Sequence, residues 1–281
     1  MKKLHATHEA SVQTAGRSPV PLKPFRRSTF VIQLTLLLLG AITVYGLYTL
    51  DTGEVALGEA LRQMLLNFKL MLTEPHFRHF TWDDALQAVL VTIGLALLTT
   101  LIGAAIALLF GLLAARNLTN GTVSYWIKSA VAFIRAVPTV LWVLIFAVSA
   151  GLGSVAAVIG MTFHSVGYLI KAYSESFEEM DEGVIEALKG SGASWWQIVF
   201  QAVLPSSMAY LISWTFIRFE INFAAALAMG AAAGAGGIGF DMYMAGNFYL
   251  DLREVGTITY FILIFAVVLE MCATRWKAHI R

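Results

Sequence analysis

The sequence predicts an all-α integral membrane protein with about six transmembrane helices, and three observations carry that expectation. Of 281 residues, 58% are hydrophobic and 13% charged, about half the charged share of a soluble domain, which is about 25%. The apolar residues fall in long uncharged runs, each near the ~20 residues that cross a ~30 Å hydrocarbon layer as a helix. Basic residues gather at alternate ends of these runs, as expected of successive crossings.

Phe30 to Leu50 is uncharged between Arg26-Arg27 and Asp51 and forms span one. The arm before it is long and lacks a small-residue cleavage site, so it reads as an anchor rather than a removed signal. Ala85 to Ala115 is span two, longer than a bilayer requires, so it tilts or projects into water. No charged residue occurs from Ala136 to Ile170, and Gly151-Leu152-Gly153 divides that stretch. Span three is placed at about Ser129 to Ala150 and span four at about Ser154 to Ile170. Span five follows at about Ser206 to Gly230 and span six at about Val255 to Thr274.

Lys and Arg near span ends set orientation. The N-terminal arm carries Lys2, Lys3, Arg17, Lys23, Arg26 and Arg27, and the tail carries Arg275, Lys277 and Arg281. Arg116, Lys128, Lys171 and Lys189 follow spans two and four. With six spans all of these fall on one side, so both termini are expected in the cytoplasm of a bacterial inner membrane. The chain then divides into a cytoplasmic basic arm (1–28), a first transmembrane helix (29–50), a periplasmic loop (51–84), a core (85–275) and a cytoplasmic tail (276–281). Residues 1–24, rich in Ser, Thr, Pro and charge, are expected to be disordered. Val55 to Leu72 mixes Leu57, Leu61, Leu65 and Leu72 with Glu59, Arg62 and Lys69, which suits either an interfacial helix or an ordinary amphipathic loop helix.

The formal net charge of +1 argues against nucleic acid. Cys272 is the only cysteine, so no intrachain disulfide and no cysteine-based metal site is available. The six histidines are scattered; His76 and His79, near Glu74, are a poor basis for a metal centre.

The segment 172–205, between spans four and five, is the informative loop. After an acidic stretch come Glu186-Ala187-Leu188, Gly190, Gly192 and a run ending at Leu204-Pro205. Ser194 with Gln197 has the form of a capping box, which predicts a helix from about Trp195 to Leu204, with Pro205 starting or kinking the next element. Gly190 and Gly192 are expected to make the sharp turn between two short helices.

Glu186-Ala187-Leu188, Gly192 four residues on, and Leu204-Pro205 resemble the "EAA" signature of ABC importer permeases. Leu188 stands where the signature has a second alanine, and Ala202 where it has an isoleucine. The resemblance implies a type I ABC importer permease fold in which Glu186, Ala187, Leu188, Gly190, Gly192, Leu204 and Pro205 couple to a cytoplasmic ATPase. Arg218-Phe219-Glu220-Ile221-Asn222, the run Gly234-Ala235-Gly236-Gly237-Ile238-Gly239, and Phe163-His164 with Gly167 look like the phosphonate-type permeases, whose relatives also carry phosphite or hypophosphite. That likeness covers about residues 85–275. It departs at Ala224, where relatives often have a basic residue, and in a stretch before the glycines about one residue longer.

The physical reading of these residues stands apart from the family. A charge inside a span costs at least ~2.5 kcal/mol and normally faces the bundle interior or a water-filled path. Thr215, Arg218 and Asn222 share one helix face, a polar stripe suited to an oxyanion, with His164 as a further pathway residue. His164 alone is more often a hydrogen-bonded residue of the helix interior. Glu220 points elsewhere and is expected to pair with Arg135, a structural intramembrane charge; Arg135 could instead snorkel to the headgroups. The glycines Gly234, Gly236, Gly237 and Gly239 are not followed by Lys-Ser or Lys-Thr, so they form no nucleotide loop. They suit close helix approach or a re-entrant turn at the outer mouth.

No Walker-type sequence is present, so the chain is expected to be a transport subunit rather than an enzyme, without a cofactor of its own. ATP and Mg would be bound by a partner ATPase. The resemblance implies a homodimer, two cytoplasmic ATPase subunits and a soluble periplasmic or extracellular substrate-binding protein. The alternative is an ion-gradient-driven secondary transporter, which usually shows internal repeats; none is found here.

Overall fold

In hydrocarbon a backbone has no water to bond, so apolar runs must satisfy their N–H and C=O groups internally as helices. The computed structural model describes residues 27–49 and 56–280, with residues 57 and 276–280 by backbone alone. Of the basic arm, residues 1–26 lie outside the described residues. The chain forms two units, residues 1–60 and 61–281.

The first unit contains α1 (Arg27–Thr49), in which no residue is buried. The Thr35 and Thr43 hydroxyls donate back to the carbonyls of Val31 and Leu39, so even the polar side chains of this apolar rod are satisfied locally. The amphipathic segment is helical, as α2 (Leu57–Thr73).

In the second unit α3 (Trp82–Ala114) is 33 residues long. It starts three residues before the expected Ala85 because Thr81 and Asp84 close a reciprocal capping box on its first turn. Beside it, α6 (Ser154–Glu178) runs parallel: Gly103 of α3 meets Ser165, and Gly111 meets Tyr173. α6 continues well past the expected Ile170, because Lys171 pairs with Glu175 and Glu178 with Lys128 in its final turns. α9 (Leu204–Ala233) runs antiparallel to both, and α11 (Leu252–Ile280) closes the bundle. Five of the described helices are long and apolar enough to span a bilayer, or six if one bent pair counts as a span.

That bent pair corrects span three. The expected single helix is two, α4 (Gly121–Ala136) and α5 (Thr139–Ala150), turned 89° at Val137-Pro138. Pro138 has no N–H to offer the Ile134 carbonyl, and the residue before a proline is driven to extended backbone; Val137 has φ −91° and ψ 125°. The Trp142 indole N–H takes the orphaned Ile134 carbonyl at 3.0 Å. Hydropathy reports how apolar a segment is and nothing about its direction, so the break was not legible.

At one end of the bundle lie α7 (Glu182–Gly190) and α8 (Trp195–Ile198). The capping box of Ser194 and Gln197 forms as expected. The turn is made by Gly192 alone, at φ +85°, while Gly190 is an ordinary helical residue. Gly192 N–H bonds the Lys189 carbonyl and Ala193 N–H the Leu188 carbonyl, a Schellman closure. Beyond α8 the chain does not break at Pro205. A π-helical turn, Val199–Val203, carries it into α9; the wider turn accommodates the proline ring that an α-helical turn would bring against the carbonyl four residues back.

Buried Ile185, Ile198, Val199 and Val203 join Leu112, Leu169 and Phe177 in one apolar cluster, so the loop is rooted in the bundle. Leu95, Val143, Met161 and Met229 form a second cluster, and Val89, Ile238, Val255 and Ile258 a third at the opposite end. There α10 (Ile238–Tyr243) and a π-helical turn, Met244–Phe248, connect α9 to α11.

Candidate functional site

Three helices meet around Arg218. It is 2% exposed and Asn222, one turn on, is 0% exposed. Arg218 Nε donates to Ser165 Oγ at 3.0 Å, Ser165 Oγ donates to Asn222 Oδ1 at 3.0 Å, and Asn222 Nδ2 donates to Thr100 Oγ1 at 2.8 Å. One relay thus ties α9 to α6 and α3. Thr215 pairs with the Tyr173 hydroxyl at 2.5 Å. The guanidinium carbon of Arg218 lies 5.1 Å from the centroid of the Tyr168 ring, a cation–π arrangement. Its two Nη groups meet no protein acceptor among the described residues. His164, next to Ser165, is half-buried, and its buried Nδ1 has no hydrogen-bond partner among the described residues.

The expected stripe of Thr215, Arg218 and Asn222 is therefore assembled on one face, turned toward α6 and α3. Ser165, Tyr168 and Thr100 complete it. They were missed because an isolated Ser, Tyr or Thr in an apolar run carries no signal until its neighbour across the bundle is known. Arg135 is exposed, with its stem against Gly167 of α6, and Glu220 is half-buried on α9 and not without a partner.

In the α7–α8 loop, Glu186, Ala187, Gly190, Gly192 and Pro205 are exposed, while Leu188 and Leu204 are half-buried against the first cluster. The Trp195 indole anchors the loop by donating to the Leu118 carbonyl at 2.9 Å. Beside these lie Trp196 and Phe200, 57% and 62% exposed and stacked at 5.9 Å, an aromatic patch that no motif marked.

Residues 107–281 match the family of binding-protein-dependent transport system inner membrane components. The chain belongs to that family. It is 31% identical over 186 residues to the phosphate-import permease protein PhnE of Mycolicibacterium smegmatis, covering 66% of this chain and 35% of that protein. It is 31% identical over 184 residues to the phosphite transport system permease protein PtxC of Stutzerimonas stutzeri, covering 64% and 66%. The methionine import system permease protein MetP of Bacillus subtilis is 29% identical over 156 residues, covering 53% and 70%. The chain thus spans about a third to two thirds of the first two relatives. In structure it resembles the inward-facing MetNI methionine ABC transporter, with a TM-score of 0.65, 21% identity, and coverage of 73% of this chain and 100% of that one. The fold is that of a type I ABC importer permease.

At the end of the permease opposite α7 and α8 stands a feature the sequence did not reveal. Glu254, 0% exposed, accepts the backbone N–H groups of Arg78, His79 and Phe80 at 2.8–3.1 Å, and its other oxygen meets His79 Nδ1 at 2.8 Å. The His79 ring stacks on Tyr249 at 3.9 Å. Asp251 adds a third ligand-type group within 4.8 Å, but its Oδ1 accepts from the first N–H groups of α11 and both Glu254 oxygens are engaged. The cluster is a latch between the α2–α3 loop and α11.

The glycine run lies at this same end. Gly234, Gly236 and Gly237 have φ of +62°, +81° and +72°, so the chain reverses there in conformations that side chains resist. At Gly239 a Cβ would collide with the Leu227 carbonyl. On α10, burial and the neighbouring Asp84 carboxylate push the Asp241 carboxyl up to about 6.

Proposed function

We propose that the chain is the membrane-spanning subunit of an ATP-driven importer of a small phosphorus oxyanion: phosphonate, phosphite, hypophosphite or phosphate. It works as a homodimer, with two ATPase subunits on the α7–α8 side and a soluble binding protein on the other. Both termini then lie in the cytoplasm, and the chain, lacking an ATPase site, hydrolyses nothing itself.

The observation that carries the reading is Arg218. A guanidinium inside a bundle is costly, and here, among the described residues, four of its five N–H donors meet no acceptor. Planar donors in that number suit the oxygens of an oxyanion. The relay through Ser165, Asn222 and Thr100 holds the group in place while leaving those donors available. The names of the phosphate and phosphite relatives agree with this chemistry. Methionine permeases are also similar, so the test includes that amino acid. For coupling, the support is a rigid helix–turn–helix rooted in the bundle, with Glu186 and the Trp196–Phe200 pair on its open face, as rigid-body transmission requires.

The test is ATP hydrolysis by the assembly reconstituted in lipid vesicles with its ATPase and binding protein, with each oxyanion and methionine added in turn. Stimulation by one phosphorus oxyanion, dependent on the binding protein and lost on Glu186→Ala or Gly192→Asp, is the expected outcome. Stimulation by methionine alone overturns the substrate. Uptake driven by an ion gradient without any ATPase overturns the coupling and favours a secondary transporter.

A further inference from the structure

We propose that α2 is an interfacial helix, with Leu61, Met64, Leu65, Phe68 and Leu72 sunk into the bilayer surface at the end of the bundle opposite α7 and α8. The partner is a lipid surface, whatever solute the permease carries.

The sequence leaves two roles for this helix open, and the structure separates them. An ordinary loop helix lays its apolar side on the bundle. Here residues 61–69 are exposed throughout, and the five named side chains are 47–60% exposed. They recur every three or four residues and so line one side of the helix, with Asn67 on the other. Among the large apolar side chains exposed on α2, Leu66 alone falls outside that stripe. An apolar face of this size marks an interaction surface.

Three observations make the bilayer its cover. The first is level. The last turn of α2 and the loop after it are fastened to the first turns of α11, where that span begins. The Met71 carbonyl comes so close to Gly256 that a Cβ there would lie 2.0 Å away. The Tyr260 hydroxyl donates to the Leu72 carbonyl at 2.7 Å, the Thr257 hydroxyl to the His76 carbonyl at 2.9 Å, and Arg253 pairs with Glu74 at 2.7 Å. The second is the aromatic marking of that level. Trp82, the first residue of α3, is exposed and packs edge-on against Phe77 at 5.1 Å. An exposed indole and a tyrosine hydroxyl at the ends of two spans are the side chains that settle among headgroups.

The third is reach. α1, itself long and apolar enough to span, ends at Thr49, and α2 begins at Leu57. The seven residues between them (50–56) extend at most about 25 Å. A 17-residue helix is also about 25 Å long. Standing upright from the membrane, it would need the whole extended link to return the chain to α1. Lying along the surface, it leaves the link slack. A helix held at that level, with one apolar side open, rests that side on lipid.

The experiment uses the assembly with its ATPase in vesicles of phosphatidylethanolamine and phosphatidylglycerol, with Cys272→Ser as background. Leu65→Cys and Asn67→Cys, both at exposed positions, each receive the same environment-sensitive fluorophore before reconstitution. The probe at Leu65 should emit at shorter wavelength than the probe at Asn67. It should also be quenched about threefold more by nitroxide-bearing acyl chains than by iodide on both sides of the membrane, with the reverse at Asn67. Equal quenching at the two positions, or iodide quenching that dominates at Leu65, overturns the inference. So does a Leu65 probe shielded from both quenchers, which marks a second copy of the chain as the cover. Iodide quenching at Leu65 that disappears only when the binding protein is added assigns the face to that protein instead, and overturns it equally.

Discussion

At the scale of single residues, the permease places charge where one partner can serve several groups. Glu254 is the clearest case: one buried carboxylate satisfies three backbone N–H groups and an imidazole. Glu254→Ala removes all four acceptor contacts; water can return to the exposed Arg78 and His79 donors, so a loss of about 1–3 kcal/mol is expected. Glu254→Gln keeps one carbonyl oxygen and should lose less. Thermal unfolding in detergent, with proteolysis near residues 74–80, measures both; equal stability of Glu254→Ala and the parent would contradict the latch. Nothing in the sequence distinguished Glu254 from a surface acid at a helix start, because its partners lie about 175 residues away. Arg218 and Asn222 were legible for the opposite reason: a charge and an amide in an apolar run demand an explanation locally. Their spacing placed them on one face, but Ser165 and Thr100 awaited the fold.

At the scale of elements, length and apolarity carried the long helices, whose observed limits fall within a few residues of those expected for spans one, two and five, while span six runs on past Thr274 to Ile280. What failed was direction and local winding. The α4–α5 turn and the π-helical turn at Val199–Val203 both answer prolines, Pro138 and Pro205, and a proline announces a disturbance without saying whether the chain bends or widens. Close approach was equally silent. Gly160 of α6 lies where a Cβ would sit 2.6 Å from the Val143 backbone of α5. Gly160→Val must therefore push α5 off α6, and overpacking of this kind costs typically about 1–3 kcal/mol. Gly94→Ala, at a glycine with open space, should be neutral or slightly stabilising. Paired melting curves test the contrast, and equal shifts would sink the close-approach account.

At the scale of the whole molecule, the α7–α8 loop and the bundle share one apolar cluster. The α7–α8 loop was readable because its glycine, capping box and Leu-Pro form a local pattern. Its rooting was not, since Ile185 and Ile198 look like any loop aliphatics. Ile198→Ala should cost about 2–5 kcal/mol as a cavity in this shared cluster and weaken substrate-stimulated hydrolysis more than ATPase association. Association and stimulation falling in step would mean that the loop acts only as an adhesive surface.

From Trp195 to Ala233 the chain is one helical rod of 39 residues, about 58 Å at ~1.5 Å per residue. Because the π-helical turn bridges the proline instead of cutting the rod, α8 and the glycine reversal beyond Ala233 are opposite ends of a single lever. A tilt of about 5° imposed at the α8 end would sweep the far end sideways by about 5 Å, roughly the width of a small oxyanion with its donors. Arg218, partway along, would move by about half as much. If Arg218 holds the anion as proposed, the outer glycine reversal and that binding group are mounted on the same beam, and a change at one would be felt at the other as one mechanical event.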